Sequence, residues 1–366
     1  MTSFSVTKNS SPKSDADRNA ILENPGFGKH FTDHMVLIDW EKDKGFINPR
    51  VVPYAPLSID PANMTLHYGQ SIFEGLKAYK HKDGSIKTFR PKSNAARFAK
   101  SAKRMAMPEI PEELFVEAIK QLIAVDKNWV PEDREKSLYL RPFMFATEVG
   151  LGVRPASKYL FLIIASPAGN YFPAGVKPVS VWLSKEYVRA APGGTGEAKF
   201  AGNYAASLIA QAQAAKEGCD QVVWLDAIER RFIEEMGGMN LYFVYGKKNE
   251  IVTPSLTGSL LAGITRDSIL QLAKDLGMTS VEKKISIEDW KKGCEQGDIT
   301  EVFACGTAAV VTPVGLVKSS DDEFKVGLGE TGAVTAKIRA ALLDIQTGVA
   351  KDEHNWTVSV GKLPLS

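Results

Sequence analysis

Residues 193–207 read GGTGEAKFAGNYAAS, a run of small residues holding one long cation, Lys199. Lysine is almost never fully buried, so the default reading is a solvated side chain. The neighbours argue for another. Glycines and alanines on both sides leave room for a flat ring. Asn203 is a good cap for a helix that runs to about Glu217, with Gly218 as its stop. Lys199 then lies just ahead of a helix N-terminus, whose positive end favours the uncharged amine. An uncharged amine is a nucleophile that can form a Schiff base with an aldehyde. Tyr204, on the first turn, is placed to hydrogen-bond a phenolic oxygen.

Outward from this stretch, strands and helices alternate. Residues 35–40 and 84–90 read as strands, and 93–105 as a helix with Ser93 as its cap. The next helix carries Leu114, Phe115, Ala118, Ile119, Leu122 and Ile123 as one apolar stripe. SLYLRPFMFATE (137–148) and KYLFLIIASP (158–167) are β-rich and suit a hairpin. SPAGNYFPAGVKP (166–178) holds three prolines and two glycines and marks a domain boundary. Short strands follow at QVVWLD, FIEE, NLYFVY and EIVTPS. A helix capped by Thr265 and stopped by Gly277 comes next, then a strand–turn–strand hinged at Gly306–Thr307, a helix over 335–347 and a WTVSV tail. The class is α/β or α+β, in two layered domains, with residues 1–24 a disordered tail.

Bulk properties exclude several functions. A chain of 366 residues is too long for one small core. Its net charge of +2 gives no electrostatic case for nucleic acid or an acidic membrane surface. No apolar run reaches spanning length, and the N-terminus lacks a signal core. Cys219, Cys294 and Cys305 are odd in number and unclustered, which points to reduced thiols in a cytoplasmic protein. The five histidines show no metal-ligand spacing, so no metal is expected.

Three further stretches can carry chemistry. In GITRDS (263–268) a glycine precedes a helix whose first N–H groups and Thr265 hydroxyl suit a phosphate-sized anion, although an ordinary capped helix reads the same way. In CGTAAVVTPV (305–314) a Gly-Thr turn offers backbone N–H groups to an anion, as would a plain hairpin. In IEEMGGMN (233–240) adjacent carboxylates on a strand face opposite ways. One of them, against a pyridine nitrogen, would keep that nitrogen protonated. Glu234 reads as the solvated member.

KFAGNY, EEMGGMN, AGITRDSI and CGTAA, with FGKHFTDHMVLIDW, LHYGQSIFEGLKAY and LYLRPF upstream, closely resemble the branched-chain amino acid aminotransferases. These are fold type IV enzymes that use pyridoxal 5'-phosphate. The resemblance runs from about Asn24 to the C-terminus. It implies a smaller N-terminal α/β domain (25–168), a connector (169–178) and a larger C-terminal cofactor-binding domain (179–366), with the cofactor between the domains. By similarity, Lys199 carries the cofactor and moves the substrate Cα proton. Tyr204 meets the phenolic oxygen, and Glu235 the pyridine nitrogen. Arg97, which the bare sequence would place on a helix surface, binds the phosphate with Ile264, Thr265 and Thr307. The Thr307–Ala308 turn takes the substrate α-carboxylate.

One pocket must accept both an apolar side chain and glutamate, whose carboxylate is costly to bury unpaired. Tyr68, Tyr139 and Arg141 resemble the groups that pair with it, and Phe27, Phe73, Leu151 and Val153 the remaining apolar wall. In the family Tyr68, Leu151 and Val153 reach the pocket from a neighbouring subunit, which implies a homodimer. The activity implied is reversible amino transfer between L-leucine, L-isoleucine or L-valine and 2-oxoglutarate by a ping-pong route. D-amino acid aminotransferases and aminodeoxychorismate lyases would share Lys199 and Glu235, but HYGQSIFEGLKAY and YLR argue against them. Some relatives carry a redox-sensitive Cys-x-x-Cys after the Gly-Thr turn; here Ala309 and Thr312 stand there, so that switch is absent.

Overall fold

The computed structural model describes residues 3–169 and 177–360. The chain forms two compact units, one of Met1–Pro173, Ala198–Ala201 and Asp344–Ser366, the other of Ala174–Glu197 and Gly202–Leu343. Most of the expected connector, 169–178, lies outside the described residues.

The first unit begins with β1 (Ser5–Val6), α1 (Asp15–Glu23), β2 (His34–Glu41), β3 (Gly45–Pro53), α2 (Met64–Tyr68) and β4 (Ser71–Phe73). It continues through β5 (Leu76–Lys80), β6 (Ile86–Phe89), α3 (Pro91–Arg104), α4 (Glu112–Val125), β7 (Ser137–Ala146) and β8 (Lys158–Ala168). The strands lie in the order β1-β3-β2-β8-β7-β5-β6, with β4 also on β7. β7 and β8 form the expected antiparallel pair, from Ser137↔Ala168 to Ala146↔Tyr159. Side chains alternate along β7. Leu138, Leu140 and Met144 point into the core, where they join Phe98, Phe115 and Phe161. Tyr139, Arg141 and Phe143 occupy the other face. The α4 stripe is buried as its spacing predicts, with Leu114 at the core's margin.

Two local expectations need correction here. α3 starts at Pro91, because proline suits a first helical position, and Ser93 is therefore inside the helix rather than its cap. The N-terminal segment is also structured over its described part. β1 pairs in parallel with β3, and the Ser14 hydroxyl caps α1. Asn9 N–H donates to His34 Nε2 at 2.9 Å, and Lys136 Nζ donates to the Leu22 and Glu23 carbonyls at 3.1 and 2.9 Å. Caps and polar contacts hold this arm together with Phe4, Ile21 and Leu22, which pack partly buried against the core, although α1 buries no residue fully.

The second unit contains β9 (Val179–Ser184), α5 (Ala201–Ala205), α6 (Leu208–Lys216), β10 (Gln221–Leu225), β11 (Ile233–Met236), β12 (Met239–Tyr245) and β13 (Glu250–Thr253). Then come α7 (Ile264–Asp275), β14 (Thr279–Glu282), α8 (Ile287–Glu295), β15 (Ile299–Gly306), β16 (Val310–Lys318), β17 (Glu323–Lys325) and α9 (Ala333–Gln346). The sheet order is β11-β10-β9-β16-β15-β12-β13-β14, with β17 on β16 and a further β11–β12 pairing. That last pairing closes β11, β10, β9, β16, β15 and β12 into a barrel.

The helix expected over 203–217 is instead two, α5 and α6, broken at Ala206–Ser207. Asn203 is not a cap. It is buried inside α5, where its amide donates to the Thr195 carbonyl at 2.8 Å and its carbonyl accepts from the Thr195 hydroxyl at 2.6 Å. A tertiary partner has taken the side chain that would have capped.

Finally, β18 (Thr357–Ser359) pairs with β6 and so returns the C-terminal chain to the first unit. The Lys199 segment also belongs there: Phe200 bridges to Ile72, and Phe73 N–H donates to the Lys199 carbonyl at 3.0 Å. The expected 179–366 domain is thus divided at two places by pairing that no local pattern announces. No described helix is long and apolar enough to cross a membrane.

Candidate active site

Lys199 is not a fully exposed side chain. It is half-buried, with its backbone clamped on both sides. Its N–H donates to Ser101 Oγ on α3 at 2.9 Å, and its carbonyl accepts from β4. The amine lies 4.9 Å from the centre of the Phe73 ring. Next to Phe73 is Glu74, whose side chain is 0% exposed. Arg97 grips it with two bonds, Nε to Oε1 at 2.7 Å and Nη2 to Oε2 at 2.9 Å. Asn94 Nδ2 adds a third at 2.8 Å. Burial alone would raise the Glu74 carboxyl. The Arg97 charge and hydrogen bonds, helped by Lys199 and Asn94, outweigh it and hold the group below the usual carboxylate range. Arg97, only 11% exposed along its side chain, is therefore a fixed inward-facing cation and not the surface arginine of the bare sequence.

On β7 the period of two puts Tyr139 and Arg141 side by side. Arg141 Nη2 donates to Tyr139 Oη at 3.0 Å, and its guanidinium stacks 4.7 Å from the Phe73 ring centre. Phe27 meets Tyr139 edge-on at 5.0 Å. Gly75 makes this possible: a Cβ there would stand 2.0 Å from Tyr139 Oη. So Lys199, Phe73, Arg141, Tyr139 and Phe27 form one connected group, polar at Arg141 and aromatic elsewhere. Tyr68, Leu151 and Val153 are not part of it. The Tyr68 hydroxyl donates to the Leu151 carbonyl, and Leu151 and Val153 are 65% and 83% exposed.

The second unit gathers its own group at one end of the barrel. Glu235 on β11 is 2% exposed. Its Oε1 accepts from Leu261 N–H at 2.7 Å, and its Oε2 lies 3.1 Å from Arg189 Nε. Asn240, its partner across β11–β12, donates to the Leu261 carbonyl at 3.1 Å. Tyr204 packs its ring edge on Gly238, in the turn between these strands. Gly263 caps α7, and a Cβ there would lie 2.0 Å from Asn240 Oδ1. The cap is thus Gly263 and not Thr265, which sits inside the first turn, buried with Ile264 at the helix start. Thr307 and Ala308 are half-buried in the β15–β16 turn, closed by the Gly306↔Val310 pair, and Gly306 approaches Met239. Val310 takes φ 62°, a left-handed backbone that costs a β-branched residue about 1–3 kcal/mol.

Glu234 departs from its expectation. It is 6% exposed rather than solvated, because both faces of β11 are covered. Glu74 lies in the LHYGQSIFEGLKAY stretch without a role that its residue type announces, and Arg189 carries no motif that marks it in the sequence. Each is a lone charge in an otherwise uncharged stretch, QSIFEGL and YVRAAPGG, and that contrast is the signal that could have found them.

The chain's relatives have the same organisation. The amino-transferase class IV family matches residues 71–317. The branched-chain-amino-acid aminotransferase of Mycolicibacterium smegmatis is 62% identical over 356 residues, which cover 96% of this chain and 97% of that protein. The crystal structure of the Escherichia coli branched-chain amino acid aminotransferase superposes with a TM-score of 0.73 at 31% identity, over 88% of this chain and 99% of that one. The T.th. branched-chain amino acid aminotransferase complexed with N-(5'-phosphopyridoxyl)-L-glutamate gives a TM-score of 0.71 at 29% identity, over 88% and 98%. With a family match over most of its length and a fold shared with these enzymes, the chain belongs to the class IV aminotransferases and, among them, to the branched-chain amino acid aminotransferases.

Proposed function

We propose that the protein moves the amino group reversibly between L-leucine, L-isoleucine or L-valine and 2-oxoglutarate, in two half-reactions that share one bound pyridoxal phosphate. The observation that carries this reading is the Lys199 amine, half-buried over Phe73 on a backbone clamped from both sides. Class IV aminotransferases use pyridoxal phosphate, and the residues here fit that group. Glu235 is a buried carboxylate held by an N–H and a guanidinium, which suits a protonated pyridine nitrogen. Gly238 and Gly263 lack a Cβ where neighbours crowd, so backbone comes close to whatever lies beside Tyr204 and the start of α7. Arg97 and the α7 N-terminus, with Thr265 and Thr307, have the charge and donors for a phosphate. The complex of the T.th. enzyme with a phosphopyridoxyl glutamate supports both the cofactor and the acidic substrate.

When bound, the cofactor supplies a ring that stores the electron pair left by the Cα proton. This chain's residues do the rest. Lys199 Nζ takes the proton from the substrate Cα and delivers it to C4′ of the cofactor, on the other side of the shared nitrogen. Glu235 keeps the ring nitrogen charged. Tyr204 donates to the phenolic oxygen, and the Thr307–Ala308 turn holds the α-carboxylate through backbone N–H groups. Arg141, steadied by Tyr139, pairs with the side-chain carboxylate of glutamate, while Phe27, Phe73 and the Tyr139 face serve leucine. The exposed apolar group of Leu66, Tyr68, Val149, Leu151 and Val153 supports a homodimer in which Tyr68, Leu151 and Val153 complete the partner's pocket. The three free cysteines support a cytoplasmic location. The test is leucine-dependent formation of glutamate from 2-oxoglutarate: Lys199→Ala is expected to abolish it and keep the circular dichroism of the wild type. A variant with wild-type turnover refutes the assignment.

A further inference from the structure

On the second unit a cavity of about 90 Å³ lies beside Glu234. Its walls are chiefly Pro192, Phe232, Pro254 and Leu260, with Glu234 inside and Lys284 at the rim. That is small beside a typical ligand pocket and limits any occupant to a compact molecule. β11 presents Glu234 and Glu235 to opposite faces, so this cavity is not the region facing Glu235.

Glu234 is an unusual group to line an apolar cavity. Ser259 Oγ donates to Oε1, and Thr257 Oγ1 lies 2.8 Å from that hydroxyl. Oε2 accepts no hydrogen bond from the described residues and keeps some contact with solvent, while the residue as a whole is only 6% exposed. Burial raises the carboxyl above its ordinary range, and the Glu235 and Asp226 charges raise it further, against the Ser259 bond and the Arg189 charge. Arg189 offsets that only in part. Asp226 is lowered despite its burial by backbone N–H groups, including those of Arg231, Glu229 and Phe232, and stays anionic. Glu229 adds a second acid at the mouth. The only cation lining the cavity among the described residues, Lys284, lies over the Phe232 ring at 4.7 Å. Arg189 has its Nε committed to Glu235 and its Nη1 to the carbonyls of Ser259 and Gly196, at 3.1 and 3.3 Å.

We infer that this cavity is a second ligand site, selective for a small organic cation that carries an N–H donor on a compact apolar body. The donor meets Glu234 Oε2, the body fills the space between Phe232, Pro254 and Leu260, and Asp226 and Glu229 give the cavity its negative field. The site is separate from the chemistry proposed for Lys199 and does not depend on it.

Three probes of one shape and different charge test this on the full-length holoenzyme by titration calorimetry at pH 8: benzamidine, benzamide and benzoate. None can condense with an aldehyde as a primary amine does. Benzamidine is expected to bind about tenfold or more tighter than benzamide, and benzoate not at all. Glu234→Gln is expected to bring benzamidine and benzamide within about threefold of each other, with the melting temperature and leucine turnover unchanged. Phe232→Ala, which leaves the carboxylate in place, is expected to weaken benzamidine and benzamide together. Equal affinities in the wild type, binding of benzoate, no benzamidine binding at millimolar concentration, or a Glu234→Gln variant that keeps the preference would each overturn the proposal.

Discussion

Replacing Glu74 by glutamine tests how the Lys199 region is held. The Glu74–Arg97 pair is buried, at 0% and 11% side-chain exposure, and the carboxylate takes two guanidinium bonds and one from Asn94. Removing one partner of such a pair costs about 3–5 kcal/mol, because the other charge stays behind uncompensated. Glutamine keeps one acceptor, so about 3 kcal/mol is expected at pH 7. For a domain of this size that lowers the melting temperature by roughly 6–12 °C.

The pH dependence has a fixed sign. The folded carboxyl lies below the usual range and the unfolded one near about 4.3. Its contribution is therefore complete above that value and disappears as the pH falls through the folded value. Glutamine does not titrate there. Scanning fluorimetry of both proteins from pH 7 to pH 3.5 should show the gap shrinking with acid. A gap that is the same at both ends, or less than about 2 °C at pH 7, refutes the pairing.

Two other outcomes follow from the same unit. Gly75→Ala puts a Cβ 2.0 Å from Tyr139 Oη and 2.8 Å from Cζ, so Tyr139 must leave Arg141. A loss of about 1–3 kcal/mol in stability and a larger rise in KM for glutamate than for leucine are expected, checked by unfolding and steady-state kinetics. Arg141→Ala should lower kcat/KM for glutamate by about 10–100-fold, roughly the worth of a charged hydrogen bond, and for leucine by less than threefold. Equal losses for the two substrates would end the case for dual recognition.

Much of the architecture can be read from the chain, because its signals are periodic. The α4 stripe and the alternation along β7 and β8 leave little choice of structure, and alternation alone sets Tyr139 beside Arg141. Features settled by single long-range contacts cannot be read this way. Asn203 has the chemistry of a cap, yet Thr195 claims it. Thr265 has the same chemistry, but Gly263 precedes it because only glycine fits against Asn240. The N-terminal arm is mostly polar and is fixed by partners far along the chain, such as His34 and Lys136, with Phe4, Ile21 and Leu22 packed at the core's edge. Glu234 and Glu235 look alike in sequence; that both are buried depends on a barrel that closes only when β11 meets β12. A nearby helix end explains only part of the setting of Lys199. The rest comes from Ser101 and Phe73, which lie far ahead of it in the chain and bond its backbone from both sides.

The central claim is that one amine, Lys199, carries the cofactor. Borohydride reduction of the purified holoenzyme, followed by digestion and mass spectrometry, tests it most directly. The account predicts a phosphopyridoxyl group on the peptide that contains Lys199 and on no other lysine. An unmodified Lys199, or the label on a different residue, would contradict it.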